Sequence, residues 1–182
     1  MAYVLVPLAE GFEELEAITL IDLLRRAGFD VVSAGLDDQP VHASRGVVVI
    51  PDTSLAKLKD QHFDLIVLPG GLPGADHLRD DATLQTMLKK QSEGGKMIGA
   101  ICAAPKALAS AGVLDGKQIT CYPGALGDID SSHFDITDDR VKIDGNVMTS
   151  RGPGTAMDFA LAIIEQLGGK ALRDSVEAEL VR

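Results

Sequence analysis

Apolar residues along the chain gather into short runs separated by amphipathic stretches, and this alternation predicts the order of elements. Ala2 to Ala9 is an apolar strand, Gly11 opens a helix that runs through Arg26, and Gly28 stops it. Val31 to Ala34 is the next strand, Asp37-Asp38-Gln39-Pro40 a turn, Val47 to Ile50 a β-branched strand and Leu55 to Lys59 at most a short helix. Phe63 to Leu68 is a continuous apolar strand, followed by Pro69-Gly70-Gly71-Leu72-Pro73-Gly74 and a polar helix from Ala82 to Ser92 that Gly94-Gly95 ends. Met97 to Ile101 reads as a strand buried on both faces, and Pro105 suits the first turn of a helix continuing to Ala111. Gln118 to Cys121 is a short strand, and Asp128 to Asp139 an acidic, turn-rich connection. Val141 to Ile143 and Val147 to Ser150 flank the hairpin signal Asp144-Gly145-Asn146. Thr155, with Asp158 three residues on, resembles a capping box for a helix from Ala156 to Leu167, closed by Gly168-Gly169. Strands alternating with helices predict an α/β fold: a doubly wound, mostly parallel sheet, helices on both faces and a small antiparallel hairpin.

The run from Lys96 to Pro105 is where this pattern bears on chemistry. It passes from strand to helix through Cys102-Ala103-Ala104, so Cys102 sits at the bend. In open α/β sheets ligands gather outside the carboxyl ends of the strands. A thiol there has a helix N-terminus beneath it, whose free N–H groups and dipole favour the thiolate. The small side chains of Gly99, Ala100, Ala103 and Ala104 allow strand and helix to approach closely, and the turn resembles the nucleophile elbow of hydrolases with Cys in place of Ser. The alternative is a buried, inert structural cysteine.

A second anomaly lies in the first helix. At about 100° per residue, Phe12, Ala17, Leu20, Ile21, Leu23, Leu24 and Ala27 cover one arc, and Glu16 projects into it between Leu23 and Ala27. The N-terminal turns of that helix face the same sheet edge as Cys102. If the two meet, like charges resist joint ionisation, so the pair is expected to hold one proton, with Glu16 protonated and donating to the thiolate. The alternative is a buried glutamate capped by backbone donors. Gly70-Gly71 would expose N–H groups at the same edge and, with that of Ala103, form an oxyanion hole; a plain Gly/Pro turn is the alternative.

Composition narrows the range of partners. The 182 residues fit one domain spanning 1–182. With 27 acidic against 17 basic residues and a net charge of -10, there is no basic stripe for nucleic acid or anionic lipid. The N-terminal residues do not read as a signal peptide, and no apolar run approaches the ~20 residues of a membrane span. Two cysteines, Cys102 and Cys121, make no disulfide scaffold and suggest a reducing cytoplasm.

The remaining candidates are weaker in chemistry. His42, His62, His77 and His133 lie in polar, loop-like contexts, so no base for a Cys-His triad is evident. Tyr122, after the short strand, can donate a hydrogen bond but is a poor base at neutral pH. Cys121 reads as a resolving thiol or a buried structural cysteine. Ser150-Arg151-Gly152-Pro153-Gly154-Thr155 either holds an anion at a helix N-terminus or serves as a cap and turn.

Taken together, Gly11-Phe12-Glu13-Glu14-Leu15-Glu16, Arg25-Arg26-Ala27-Gly28, Leu68-Pro69-Gly70-Gly71, Ala100-Ile101-Cys102-Ala103-Ala104-Pro105 and Ser150 to Thr155 resemble the ThiJ/PfpI superfamily. The likeness is greatest to its branch of small parkinsonism-associated deglycase-like proteins. The resemblance covers nearly the whole chain. It implies a flavodoxin-like sandwich, a homodimer, a reactive Cys102 bonded to a protonated Glu16, and N–H groups of Gly71 and Ala103 at the thiolate. It also implies that Arg45 reaches the partner subunit's site. Members are credited with cofactor-free handling of methylglyoxal and glyoxal, repair of early glycation adducts, oxidative-stress sensing through cysteine oxidation, and chaperone activity. Relatives often carry a histidine where this chain has Tyr122, which disfavours the cysteine peptidase and amidase readings. The resemblance thus implies either glyoxalase or deglycase chemistry on small aldehydes or glycated substrates, or a non-enzymatic redox sensor or chaperone.

Overall fold

A computed structural model describes all 182 residues. In chain order the elements are β1 (Tyr3–Leu8), α1 (Glu14–Arg26), β2 (Asp30–Gly35), β3 (Val41–His42), β4 (Val48–Val49), β5 (Thr53–Ser54), β6 (Leu65–Leu68), α2 (Gly74–Asp80), α3 (Ala82–Glu93), β7 (Met97–Ile101) and α4 (Pro105–Ser110). They continue with β8 (Gln118–Thr120), β9 (Asp135–Thr137), β10 (Val141–Asp144), β11 (Val147–Ser150), α5 (Ala156–Gly168) and α6 (Lys170–Glu179).

Seven strands form one sheet in the order β10-β11-β7-β6-β1-β2-β5, parallel throughout except for the β10–β11 hairpin. The order β2-β1-β6-β7-β11 is the flavodoxin-like doubly wound arrangement, so the chain reverses direction across the sheet between β1 and β6. Period-two alternation assigns the side chains to two layers. Val4, Val6, Leu8, Leu65 and Val67 join Leu20, Leu24, Phe159 and Ile163 of α1 and α5 in one core. Leu5, Ile66, Leu68, Ile98 and Ala100 join Leu78, Leu84, Leu88 and Leu108 of α2, α3 and α4 in the other. At Gly99 a Cβ would lie 3.0 Å from Val67 and 3.3 Å from the Phe159 ring, so its lack of a side chain lets α5 close on β7. No helix is long and apolar enough to cross a membrane.

Several boundaries differ from the sequence expectation, each for a physical reason. The first helix begins at Glu14 rather than Gly11, because Gly11 adopts φ 82 and the Glu13 N–H is drawn to Gly70 O at 2.9 Å. Of Val47 to Ile50 only Val48–Val49 pairs, with Val41–His42, in a separate two-stranded sheet. The strand at Gln118–Thr120 likewise leaves the main sheet and pairs in parallel with β9, inside the acidic connection. The Thr155/Asp158 capping box does not form. Thr155 instead turns back on Gly152, accepting its N–H at 3.1 Å, while Asp158 is drawn to Arg140 and Arg182.

Candidate active site

β1, β6 and β7 end at the same edge of the sheet, and the segments leaving their carboxyl ends converge there. The turn after β7 holds Cys102 at φ 64, a left-handed conformation that a non-glycine residue adopts at an energetic cost. Bonds on both sides fix it there: Cys102 N–H donates to Ser150 O at 3.0 Å, and Tyr122 N–H donates to Cys102 O at 2.9 Å. The residue is 9% exposed.

α1 brings Glu16 to the same place. Its carboxyl is wholly buried; Oε2 accepts the Gly70 N–H at 2.7 Å, and Oε1 has no partner of hydrogen-bonding geometry. The Cys102 side chain lies within reach of the carboxyl. Gly70 lies between the two: a Cβ there would meet Cys102 Cβ at 2.6 Å and Glu16 Oε2 at 2.8 Å. Gly71, at φ 90, then turns away from β6, and a Cβ on it would strike the Glu13 N at 2.4 Å. With Gly70 held by Glu16, the N–H groups that face the Cys102 sulfur are those of Gly71 and Ala103.

The electrostatics are those of two acids sharing one site. Burial pushes the Glu16 carboxyl up to about 7, against the opposing pull of the Gly70 N–H and the Cys102 contact. With Glu16 ionised, burial first and the carboxylate second push the Cys102 thiol up to about 12, against the N–H groups of Gly71 and Ala103. The pair therefore gives up one proton near neutrality and retains the second far above it.

The sulfur opens onto a cleft of about 450 Å³, whose walls include Glu13, Ser44, Arg45, Leu72, Tyr122 and Pro153. Tyr122 is half exposed, and a Cβ on Gly152 would come within 3.2 Å of its ring, so the ring lies over that glycine. Arg45 lines this chain's own cleft, and its guanidinium, alone among those of the eight arginines, pairs with no carboxylate. No histidine is among the residues that line it. The structure thus brings together Cys102, Glu16, Gly71, Ala103, Tyr122 and Arg45. Cys121 stays apart: it packs in the core under α2, α3 and α4, whereas Cys102 belongs to the core under α1 and α5. In the Ser150 to Thr155 turn the polar groups already have partners: Ser150 Oγ donates to Arg140 O at 2.7 Å and shares a 2.7 Å bond with Thr155 Oγ1, and Arg151 pairs with Asp138 at 2.7 Å. Ser44, which donates to Glu13 at 3.1 Å, carries no sequence signal beyond polarity, and Glu13 only its place in the Gly11 to Glu16 motif. No cluster of three or more His, Cys, Asp or Glu side chains is placed to hold a metal ion.

Fold and site together define a doubly wound α/β protein with a cysteine at a nucleophile-elbow bend, beside a buried carboxyl. Residues 2–166 match the DJ-1/PfpI family, and the chain belongs to it. Protein dj-1beta of Drosophila melanogaster is 47% identical over 167 residues, 91% of this chain and 89% of that one. The Caenorhabditis elegans protein named glutathione-independent glyoxalase DJR-1.2 is 38% identical over 96% of this chain and 92% of its own length. Protein DJ-1 homolog A of Arabidopsis thaliana is 44% identical over 98% of this chain, which spans 46% of that longer protein. Among solved structures, Drosophila melanogaster DJ-1beta superposes with a TM-score of 0.95 at 45% identity, covering 99% of this chain and 97% of that one. Oxidized Toxoplasma gondii DJ-1 does so at 0.94 and 39%, covering 100% and 98%.

Proposed function

We propose that residues 1–182 act as one domain, a cysteine-dependent, cofactor-free protein of the carbonyl and oxidative stress response. Its substrates are methylglyoxal, glyoxal or early glycation adducts. The observation that carries this reading is a cysteine held at φ 64 at the floor of a cleft, beside a wholly buried carboxyl with one unpartnered oxygen. The proton the pair keeps resides on Glu16. The carboxyl is the more deeply buried group and has one N–H donor, whereas the sulfur has two and touches the cleft. Placing the proton there also removes the carboxylate charge that opposes thiolate formation and gives Oε1 a donor role.

The chemistry comes from that arrangement. The Cys102 thiolate adds to the aldehyde carbon, the carbonyl electron pair moves to oxygen, and the N–H groups of Gly71 and Ala103 receive the developing charge. Glu16 delivers its proton to that oxygen, completing a hemithioacetal. The Glu16 carboxylate then takes the hydrogen of the same carbon as a proton and gives it to the neighbouring carbonyl oxygen, forming an enediol; it next takes the proton of the first hydroxyl and gives it to the neighbouring carbon, leaving a thioester beside a new hydroxyl. Water cleaves the thioester, the thiol proton returns to Glu16, and a hydroxy acid leaves. One substrate carbon is oxidised as its neighbour is reduced, so no external redox partner is required. With methylglyoxal the product is lactate. The glyoxalase named among the worm relatives supports this class of reaction.

Exposed apolar side chains support a homodimer. Leu15 and Ile18 on α1 and Val47, Val48 and Ile50 around β4 lie on two segments joined by the Arg45 N–H to Glu14 bond at 2.9 Å. A second copy would cover them and bring its Arg45 toward the site. The absence of a cleft histidine, with Tyr122 in that place, favours a second reading. In it the thiolate is oxidised by peroxide toward sulfinate, and the protein acts as a cytoplasmic redox sensor or redox-regulated chaperone. A peptidase, which needs a base for its nucleophile, is disfavoured on the same ground. Steady-state lactate formation from methylglyoxal separates the two main readings. The enzyme reading predicts turnover that falls by about 100-fold or more in Glu16→Gln and is lost in Cys102→Ser. A rapidly alkylated Cys102 without lactate would assign the protein to sensing.

A further inference from the structure

Lys106 is in an unusual place for a lysine. It lies in the first turn of α4, four residues after Cys102, and is only 6% exposed. A cation there also opposes the dipole of its own helix. Its partner is Asp76 of α2, whose Oδ1 accepts from Lys106 Nζ at 2.8 Å; Arg79 meets the same oxygen at 3.3 Å. Stability is a weak reason to keep such a pair, because apolar residues of similar volume often replace buried ion pairs without loss.

The ends of the pair are more telling. Gly71, one of the two residues whose N–H faces the Cys102 sulfur, has its carbonyl held by the N–H of Ala75 at 2.8 Å, next to Asp76. Ala103, the other, has its carbonyl held by the N–H of Lys106 itself at 3.3 Å. Each donor is thus tied through backbone to one member of the ion pair, and Lys106–Asp76 is the side-chain hydrogen bond that links α2 to α4. We propose that the Lys106–Asp76 pair is a positioning clamp that holds the Gly71 and Ala103 N–H groups on the Cys102 sulfur and so sets the ease with which this thiol ionises. The inference rests on the thiolate reading of the proposed function and concerns how the fold maintains it.

The test is the pH dependence of Cys102 alkylation by iodoacetamide, followed by mass mapping, with thermal melting measured in parallel. Wild type, Lys106→Met and Asp76→Asn are compared. The clamp predicts that both variants move the alkylation midpoint upward by about half a unit to one unit, which slows alkylation roughly 3- to 10-fold near neutral pH. It also predicts that Lys106→Met, which fills the same volume, keeps or raises the melting temperature. A wild-type midpoint at or below neutral pH that neither variant moves overturns the clamp and leaves the thiolate reading standing. A wild-type Cys102 whose alkylation shows no titration below about pH 9 overturns both. Should Lys106→Met not fold, Asp76→Asn, altered at the more exposed end of the pair, decides by the same criterion.

Discussion

Cys102 and Cys121 form a natural comparison. Both are free and buried, at 9% and 5% exposure, and burial raises the thiol of each. They are also close along the backbone network, since the residue after Cys121 donates its N–H to the Cys102 carbonyl. What differs is the surroundings. Cys121 follows β8 and faces an apolar core, where the one charge acting on it is that of Arg151. Cys102 is held at a positive φ with N–H donors at its sulfur, a carboxyl beside it and a cleft in front. Burial alone makes a cysteine inert. The acid, the donors and the strained bend are what distinguish a candidate nucleophile from a piece of core.

The largest expected effect that sharpens this contrast is on stability. Burial raises the Glu16 carboxyl from the ordinary 4.5 of a glutamate to about 7. An acid raised on folding stabilises the native state at low pH, and that contribution is lost as pH rises toward the folded value. Between pH 4.5 and 7 the wild type should therefore lose roughly 3 kcal/mol relative to Glu16→Gln, and Cys121→Ser, which keeps the pair, should lose the same amount. Denaturant melts across that range check it. Next comes reactivity: near neutral pH, Cys102 should be alkylated roughly a hundredfold faster than Cys121, and equal labelling would abolish the distinction. Smaller still is the effect of Gly70→Ala, whose methyl would enter between Cys102 and Glu16. About 1–3 kcal/mol of stability and most of the fast alkylation should be lost. Gly154→Ala, at a glycine with open space around it, should change stability by less than about 0.5 kcal/mol and leave alkylation unchanged.

These features differ in how far the sequence reveals them. Cys102 stands out because a short apolar run ends in small residues and a proline, and Glu16 because it is one charge in an apolar arc; both are local patterns. The parallel order and the β10–β11 hairpin come from the same kind of periodicity. The start of α1 depends on a bond from Glu13 to Gly70 O, across 57 residues of chain, which no local pattern contains. α2 escapes notice because it buries only Gly74, Ala75 and Leu78, and α6 because its narrow stripe of Leu172, Val176 and Leu180 fully buries only Val176 in an otherwise charged run. β3 pairs over only two residues. Asp158 suggests a cap from its spacing, yet Arg140 and Arg182, remote in sequence, claim its carboxylate. Lys106 carries no local sign of burial, which comes from the packing of α2 against α4.

The central claim is that the proton kept by the pair sits on Glu16, so that Cys102 is a thiolate near neutrality. Ultraviolet thiolate absorbance against pH in a Cys121→Ser background tests it most directly. A proton on Glu16 requires the thiol to be the stronger acid of the two, and predicts the rise of one thiolate at or below neutral pH, well under the ordinary 9.0 of a thiol. Absence of any thiolate signal below about pH 9, with the sulfur titrating only toward the upper limit near 12, would place the proton on sulfur and contradict it.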